Sequence, residues 1–227
     1  MILGHHEYWD THFFLYKTEH ILFFIEFPVP NFNGDDNKVT IFIALLRGIN
    51  VGGKNRIKMA DLKRMFESIG LNRVETYIQS GNIIFESDEN EATLQKKIEH
   101  ELETNFGFSA VTVLRTTDEL ERLIRDCPFS EAEITKAESM NSEGESLYVD
   151  LLTKAPVEGK AGCLNTFRSK DDEFVIKNRD IYLLLRHSIR NSKLANNLQK
   201  LEVPGTVRNW KTIHKLHALT KTRTNNL

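Results

Sequence analysis

Between residues 46 and 62 the chain reads LRGINVGGKNRIKMADL, where Gly48, Gly52 and Gly53 are interleaved with Arg47, Asn50, Lys54 and Arg56. Glycine lets the backbone turn successive N–H groups to one side, and such nests hold anions. With cationic side chains beside them, the chemistry indicated is recognition of a phosphate or a carboxylate. The spacing is not that of a Walker loop. Gly48, Gly53 and Lys54 satisfy Gly-x-x-x-x-Gly-Lys, but Asn55 stands where a hydroxyl is needed to hold Mg²⁺. A second polar group, Gln79-Ser80-Gly81-Asn82, and a third, made of Arg186, Ser188 to Lys193 and Arg208-Asn209-Trp210, could serve the same purpose. The competing explanation is ordinary: glycines that make turns, and polar side chains that satisfy exposed backbone.

Other chemistries find less support. His214 and His217 lie three residues apart on one helical face without a third ligand, and His5, His6 and His12 sit in an irregular leader, so no metal site is indicated. Cys127 and Cys163 have no histidine or aspartate at a catalytic spacing. Ser80 is in a turn and not at a Gly-x-Ser-x-Gly elbow. No pair of carboxylates is spaced for acid–base work, although an enzyme that uses polar groups alone stays open, with its cofactor unknown.

These residues need elements to position them. Val39 to Arg47 is an almost continuous β-prone run, as for a central strand covered on both faces. Leu62, Met65, Phe66 and Ile69 follow at helical spacing, with Gly70 as a left-handed cap. Arg73 to Gln79 and Asn82 to Ser87 predict two strands joined by a two-residue turn at Ser80-Gly81. Asp88 and Glu91 suggest a capping box for a helix carrying Leu94, Ile98 and Leu102, which stops at Gly107, and Phe108 to Arg115 completes β-α-β-β-α-β. Thr116 and Glu119 cap a further short helix. Pro128 and the polar run to Glu145 predict a connection. The order then repeats: a strand at Ser146–Leu152, a helix over Pro156–Phe167, strands at Glu173–Lys177 and Ile181–Arg186, a helix marked by Ile189, Leu194, Leu198 and Leu201, a strand at Val203–Val207 and a closing helix with Trp210, Ile213 and His217.

The fold class expected is therefore α+β, two tandem ferredoxin-like subdomains with antiparallel sheets. The boundaries are residues 1–37 for an aromatic-rich extension and linker, 38–126 for the first lobe, 127–145 for the connection, and 146–227 for the second lobe. In this topology the first and second strands of a lobe leave the sheet at one edge. The loop after Arg47 and the turn at Gln79 should then meet, and Arg208 and Lys193 should share the matching edge of the second lobe.

Charge and composition narrow the partners. The net charge is −2, with one base against six acids in residues 1–37, so the rest carries 29 bases against 26 acids. That small excess suits an anionic ligand. It argues against nucleic acid, as does the strand Asn82–Ser87, which lacks the alternating aromatics that stack bases. The apolar run Ile21–Ile25 is far short of the roughly 20 residues of a membrane span, and the leader has no secretory signal. Two cysteines in all point to a reducing, cytoplasmic setting.

LRGINVGGKNRIKMADL, YIQSGNIIF (77–85), the Ser192-Lys193 pair and TVRNWKT (206–212), in that order, resemble the largely bacterial family called domain of unknown function 1697. The resemblance covers roughly Lys38 to Lys221. It implies a pair of ferredoxin-like subdomains and brings no reaction, substrate or cofactor. Residues 1–37 lie outside the family pattern, and Val207 stands where Thr is more usual. The function expected is binding of a small anion through Arg47, Asn50, Gly52, Gly53, Lys54, Arg56, Gln79, Ser80, Asn82, Lys193, Arg208 and Asn209. An enzyme of unknown reaction and an RNA-binding protein are the alternatives, and the oligomeric state is open.

Overall fold

The computed structural model describes residues 13–18, 21–26, 39–142, 144–157 and 159–224. The chain divides into two compact units, Met1–Lys38 and Val39–Leu227. In the first, β1 (Phe13–Thr18) and β2 (Ile21–Glu26) pair antiparallel, with Phe13 opposite Glu26. The turn-rich stretch 28–37, expected to be a linker, lies outside the described residues.

The second unit opens with β3 (Thr40–Leu46), α1 (Met59–Ser68), β4 (Asn72–Tyr77), β5 (Asn82–Ser87), α2 (Glu91–Phe106) and β6 (Thr112–Thr116). These strands form a four-stranded sheet in the order β4-β5-β3-β6, antiparallel throughout. After α3 (Thr117–Arg125) and α4 (Glu131–Met140), a second four-stranded antiparallel sheet follows: β7 (Leu147–Leu152), β8 (Asp172–Lys177), β9 (Asp180–Leu185) and β10 (Gly205–Asn209), in the order β10-β7-β9-β8. Helix α5 (Trp210–Thr224) closes the chain. This is an α+β fold, and no helix among the described residues is long and apolar enough to cross a membrane.

Strand β3 is apolar at almost every position because both its faces are covered. Phe42, Ala44 and Leu46 pack under Leu62, Met65 and Phe66 of α1 and Leu94, Ile98 and Leu102 of α2. Ile41, Ile43 and Leu45 point the other way, into a core shared with Leu147, Val149, Leu151, Tyr182 and Leu184 of the second sheet and with Ile213 and Leu216 of α5. Each such side chain contributes about 1.5–3 kcal/mol of burial, so the shared core binds the two lobes into one unit.

Several local expectations are corrected. The helices expected over 156–167 and from Ile189 are 3-10 segments, Lys160–Phe167 and Ala195–Leu201. Gly159 and Gly162 weaken an α-helix in the first by about 1 kcal/mol each, and Glu202 at positive φ ends the second. The connection at 127–145 contains α4, started by a capping box between Ser130 and Glu133. Helix α2 is capped by Asn90, whose side chain accepts from the Thr93 N–H at 3.0 Å, and not by Asp88 with Glu91. The β4–β5 turn takes the four residues Ile78–Gly81 because Tyr77 pairs with Asn82. Strand β6 starts at Thr112 rather than at Phe108, and the last strand is shifted to 205–209.

Arginines clip the lobes together. Arg115, 1% exposed, reaches from β6 to the Leu152 and Arg179 carbonyls and to Asp180 at 2.7 Å. Arg179, on the β8–β9 turn, pairs in return with Glu91 of α2 and Glu119 of α3.

Candidate functional site

The loop from Arg47 to Lys58 is a miniature hairpin. Gly52 and Gly53, both at positive φ, make its tip, and the Lys54 N–H closes it on the Val51 carbonyl at 3.1 Å. Asn50 holds its base: the side-chain oxygen accepts from the Ile57 N–H at 2.8 Å, while Nδ2 donates to the Ile57 and Gln79 carbonyls. Asn55 donates to the Gly48 carbonyl. The loop is thereby tied to the Ile78–Gly81 turn, as the shared-edge argument expects. The approach is close, since a Cβ on Gly81 would stand 2.8 Å from Ile49 Cδ1.

Asn82, expected as a neutral donor to a ligand, is fully buried. Its Nδ2 donates to the Tyr77 carbonyl and to Ser80 Oγ, and its oxygen accepts from Arg208 Nε at 2.6 Å. Arg208 crosses from β10 to the first lobe and spends its remaining donors on the Leu46 and Ser80 carbonyls, at 2.8 and 2.9 Å, and on Thr206 Oγ1 and the Val207 carbonyl. No carboxylate faces it among the described residues, and burial pushes its guanidinium down to about 10. Asn50, Asn82 and Arg208 together are the frame on which the loop is built.

The cations differ. Arg47, Lys54, Arg56 and Lys58 are exposed, and none makes an ion pair within 4.0 Å among the described residues. The amides of Gly52 and Gly53 have no acceptor there either. On one side of the loop lies a groove of about 700 Å³, lined by Arg56, Lys58, Gly53, Asn50 and Gln79. The Arg56 guanidinium is beside the glycine turn, 3.8 Å from where a Cβ on Gly53 would stand. On the other side, Arg47, Gly48, Ser80, Arg208 and Asn209 border a groove of about 510 Å³ that runs between the two lobes past Tyr148 and Thr212. Asn209 caps α5, accepting from the Thr212 N–H. Ile78, half exposed at the rim of this groove, has φ of 49°, a strained conformation for a β-branched residue.

Two of the sequence-derived residues stand apart. Lys54 is at the loop tip and borders neither groove. Lys193 lines a separate cavity of about 340 Å³ with Asp171, Asp172 and His187, where Ser192 Oγ donates to Asp172 at 2.7 Å. Sequence reasoning passed over Lys58, whose place in the same basic loop was a usable signal. It also passed over Arg115 and Arg179, which carry no local signal. Trp210 packs against Tyr182 and His214 beside the shared core, as an anchor of α5. Among the described residues no three histidine, cysteine or acidic side chains converge to hold a metal.

Comparison with known proteins gives a consistent picture. A family model described as protein of unknown function (DUF1697) matches residues 39–182. The solved structure of a conserved bacterial protein from Streptococcus pneumoniae is similar at a TM-score of 0.61 and 27% identity, covering 80% of this chain and 98% of that one. No curated protein matches the chain.

Proposed function

This chain belongs to the family of proteins of unknown function DUF1697, and for it we propose binding of a small anionic ligand, a phosphate or a carboxylate, at the loop of residues 47–58. The observation that carries this reading is the crowding of four exposed bases, Arg47, Lys54, Arg56 and Lys58, on one short loop, none of them in an ion pair within 4.0 Å among the described residues. Some other bases of the unit are paired, as in Arg115–Asp180, Arg179–Glu119 and Lys221–Glu121, and others such as Lys96 and Lys154 are not among the described residues, so it is their crowding on one loop that sets these four apart. Exposed cations crowded around a loop with unused glycine amides make a field that an anion would complete. Arg56 and Lys58 face the wider groove with Gly53, which makes that side the better seat for the charged group.

Supporting the tandem ferredoxin-like reading is the strand order, which in each lobe runs fourth, first, third, second. With residues 127–145 between them, lobes 38–126 and 146–227 would place the loop of one and β10 of the other on a common groove. Cys127 and Cys163 are both free thiols, which suits a reducing, cytoplasmic setting.

Thermal unfolding over a panel of inorganic phosphate, nucleotides, sugar phosphates and organic acids tests the proposal. A true ligand at a hundredfold excess over its Kd should add about 2.7 kcal/mol of stability. Arg56→Ala with Lys58→Ala should abolish that gain while changing the free protein by no more than about 0.5 kcal/mol. Phe66→Ala, on the buried face of α1, is the control that should cost about 3–5 kcal/mol. If the double variant unfolds like the core variant, or if no anion in the panel stabilises the protein, the reading fails.

A further inference from the structure

Strand β7 carries one acid, Asp150, among buried leucines and valine, and the carboxylate is not used by the fold. The residue is 5% exposed, yet it makes no hydrogen bond and no ion pair among the described residues. Its side chain lies over β10, where a Cβ on Gly205 would come within 2.6 Å of Asp150 Oδ1, so a glycine there is what leaves room for it. Three charged groups act on it: Arg47 and Arg115 favour the ionised form and Asp180 opposes it. Arg115 is already committed to Asp180. Burial outweighs them and raises the Asp150 carboxyl to about 6.

A largely buried carboxylate without a protein donor is costly, and because its oxygens are not among the fully enclosed unpartnered atoms it stays open to a partner from outside the fold. The space for one is present. Asp150 borders a cavity of about 110 Å³ whose walls include Ala195, Leu198 and Val203, and Arg47 stands at its rim. A water needs only ~10–15 Å³ by such a measure, so the cavity admits a group of a few heavy atoms. Arg47 also borders the groove between the lobes, so that one molecule could meet both charges. A metal ion is the poorer occupant, since Asp150 is a single carboxylate and no cluster of metal ligands converges among the described residues.

We propose that this cavity takes the ammonium group of a small zwitterion, an aminocarboxylate or an aminophosphonate-like molecule, with –NH3⁺ on Asp150 and the anionic end on Arg47. The Arg47 half rests on the anion-binding function proposed above; the Asp150 half does not.

The test is the carboxyl titration of Asp150, followed by carbon NMR on the whole protein with methylammonium, acetate, inorganic phosphate, glycine or aminomethylphosphonate, together with calorimetry of each. Methylammonium and glycine should lower the Asp150 midpoint by about 1–3 pH units, and acetate should not. Asp150→Asn should weaken glycine binding by about tenfold or more. Arg47→Ala should weaken glycine and spare methylammonium. If no ammonium probe moves the midpoint, the cavity is merely hydrated and the proposal is overturned. If methylammonium moves it while neither acetate nor phosphate binds anywhere, the anion-binding reading falls and the ammonium site stands. Should Asp150→Asn fail to fold, the titration of the unaltered protein decides alone.

Discussion

Asp150→Asn has a measurable consequence in the protein without any ligand. The folded state holds the Asp150 proton to about 6, against an ordinary 3.8, because burial disfavours the charge. Between those two values the folded chain binds more protons than the unfolded one, so stability falls as pH rises through this window. At 1.36 kcal/mol per pH unit the loss amounts to about 3 kcal/mol, present in full at pH 7 and absent below pH 4. Asparagine has nearly the same shape and no charge. The variant should therefore be more stable than the parent by as much as about 3 kcal/mol at pH 7 to 8, with the difference fading below pH 4. Urea unfolding at several pH values between 4 and 8 reads this directly. In a heat scan the gain should be about 6–12 °C for a unit of this size. A variant that is less stable at pH 7, or a difference that does not change with pH, would refute the reasoning, because the carboxylate would then have a partner within the fold.

Arg208→Met should cost about 3–5 kcal/mol in urea unfolding, since it strips donors from the buried Asn82 oxygen and from the Ser80 and Leu46 carbonyls; a loss below about 1 kcal/mol would show that the clip is dispensable. A chain beginning at Val39 should keep its melting temperature, because Val39–Leu227 is a compact unit with cores of its own. Aggregation of the shortened chain, or a fall of many degrees, would contradict this.

Much of the first lobe was legible because its signals are local. The β3 run, the stripe Leu62–Met65–Phe66 and the stripe Leu94–Ile98–Leu102 each state which face is buried, and the structure buries those faces. The Thr116–Glu119 capping box is likewise complete within four residues, and it formed as read. Legibility declined in the second lobe, where Gly159 and Gly162 leave the choice between α and 3-10 geometry to packing against Leu152, Phe174 and Leu183. The α4 capping box was present in the sequence as Ser130 and Glu133, but the polar run around it hid a helix that buries only Ala137.

By itself the sequence determined two antiparallel β-rich lobes, their order along the chain and a basic glycine loop at the edge of the first, since each of these follows from periods and turn residues within a few positions. Only the tertiary structure decided which polar groups remain for a ligand. Arg208 reaches Leu46 across 162 residues and uses up Asn82, while Arg56 and Lys58 find no acid. Asp150, one acid in a strand by its spacing, became a carboxylate without a protein donor at a cavity only when Gly205 and residues from 195 to 203 packed around it. Whether a charge is neutralised depends on distances through space between residues far apart in the chain, and no local pattern records them.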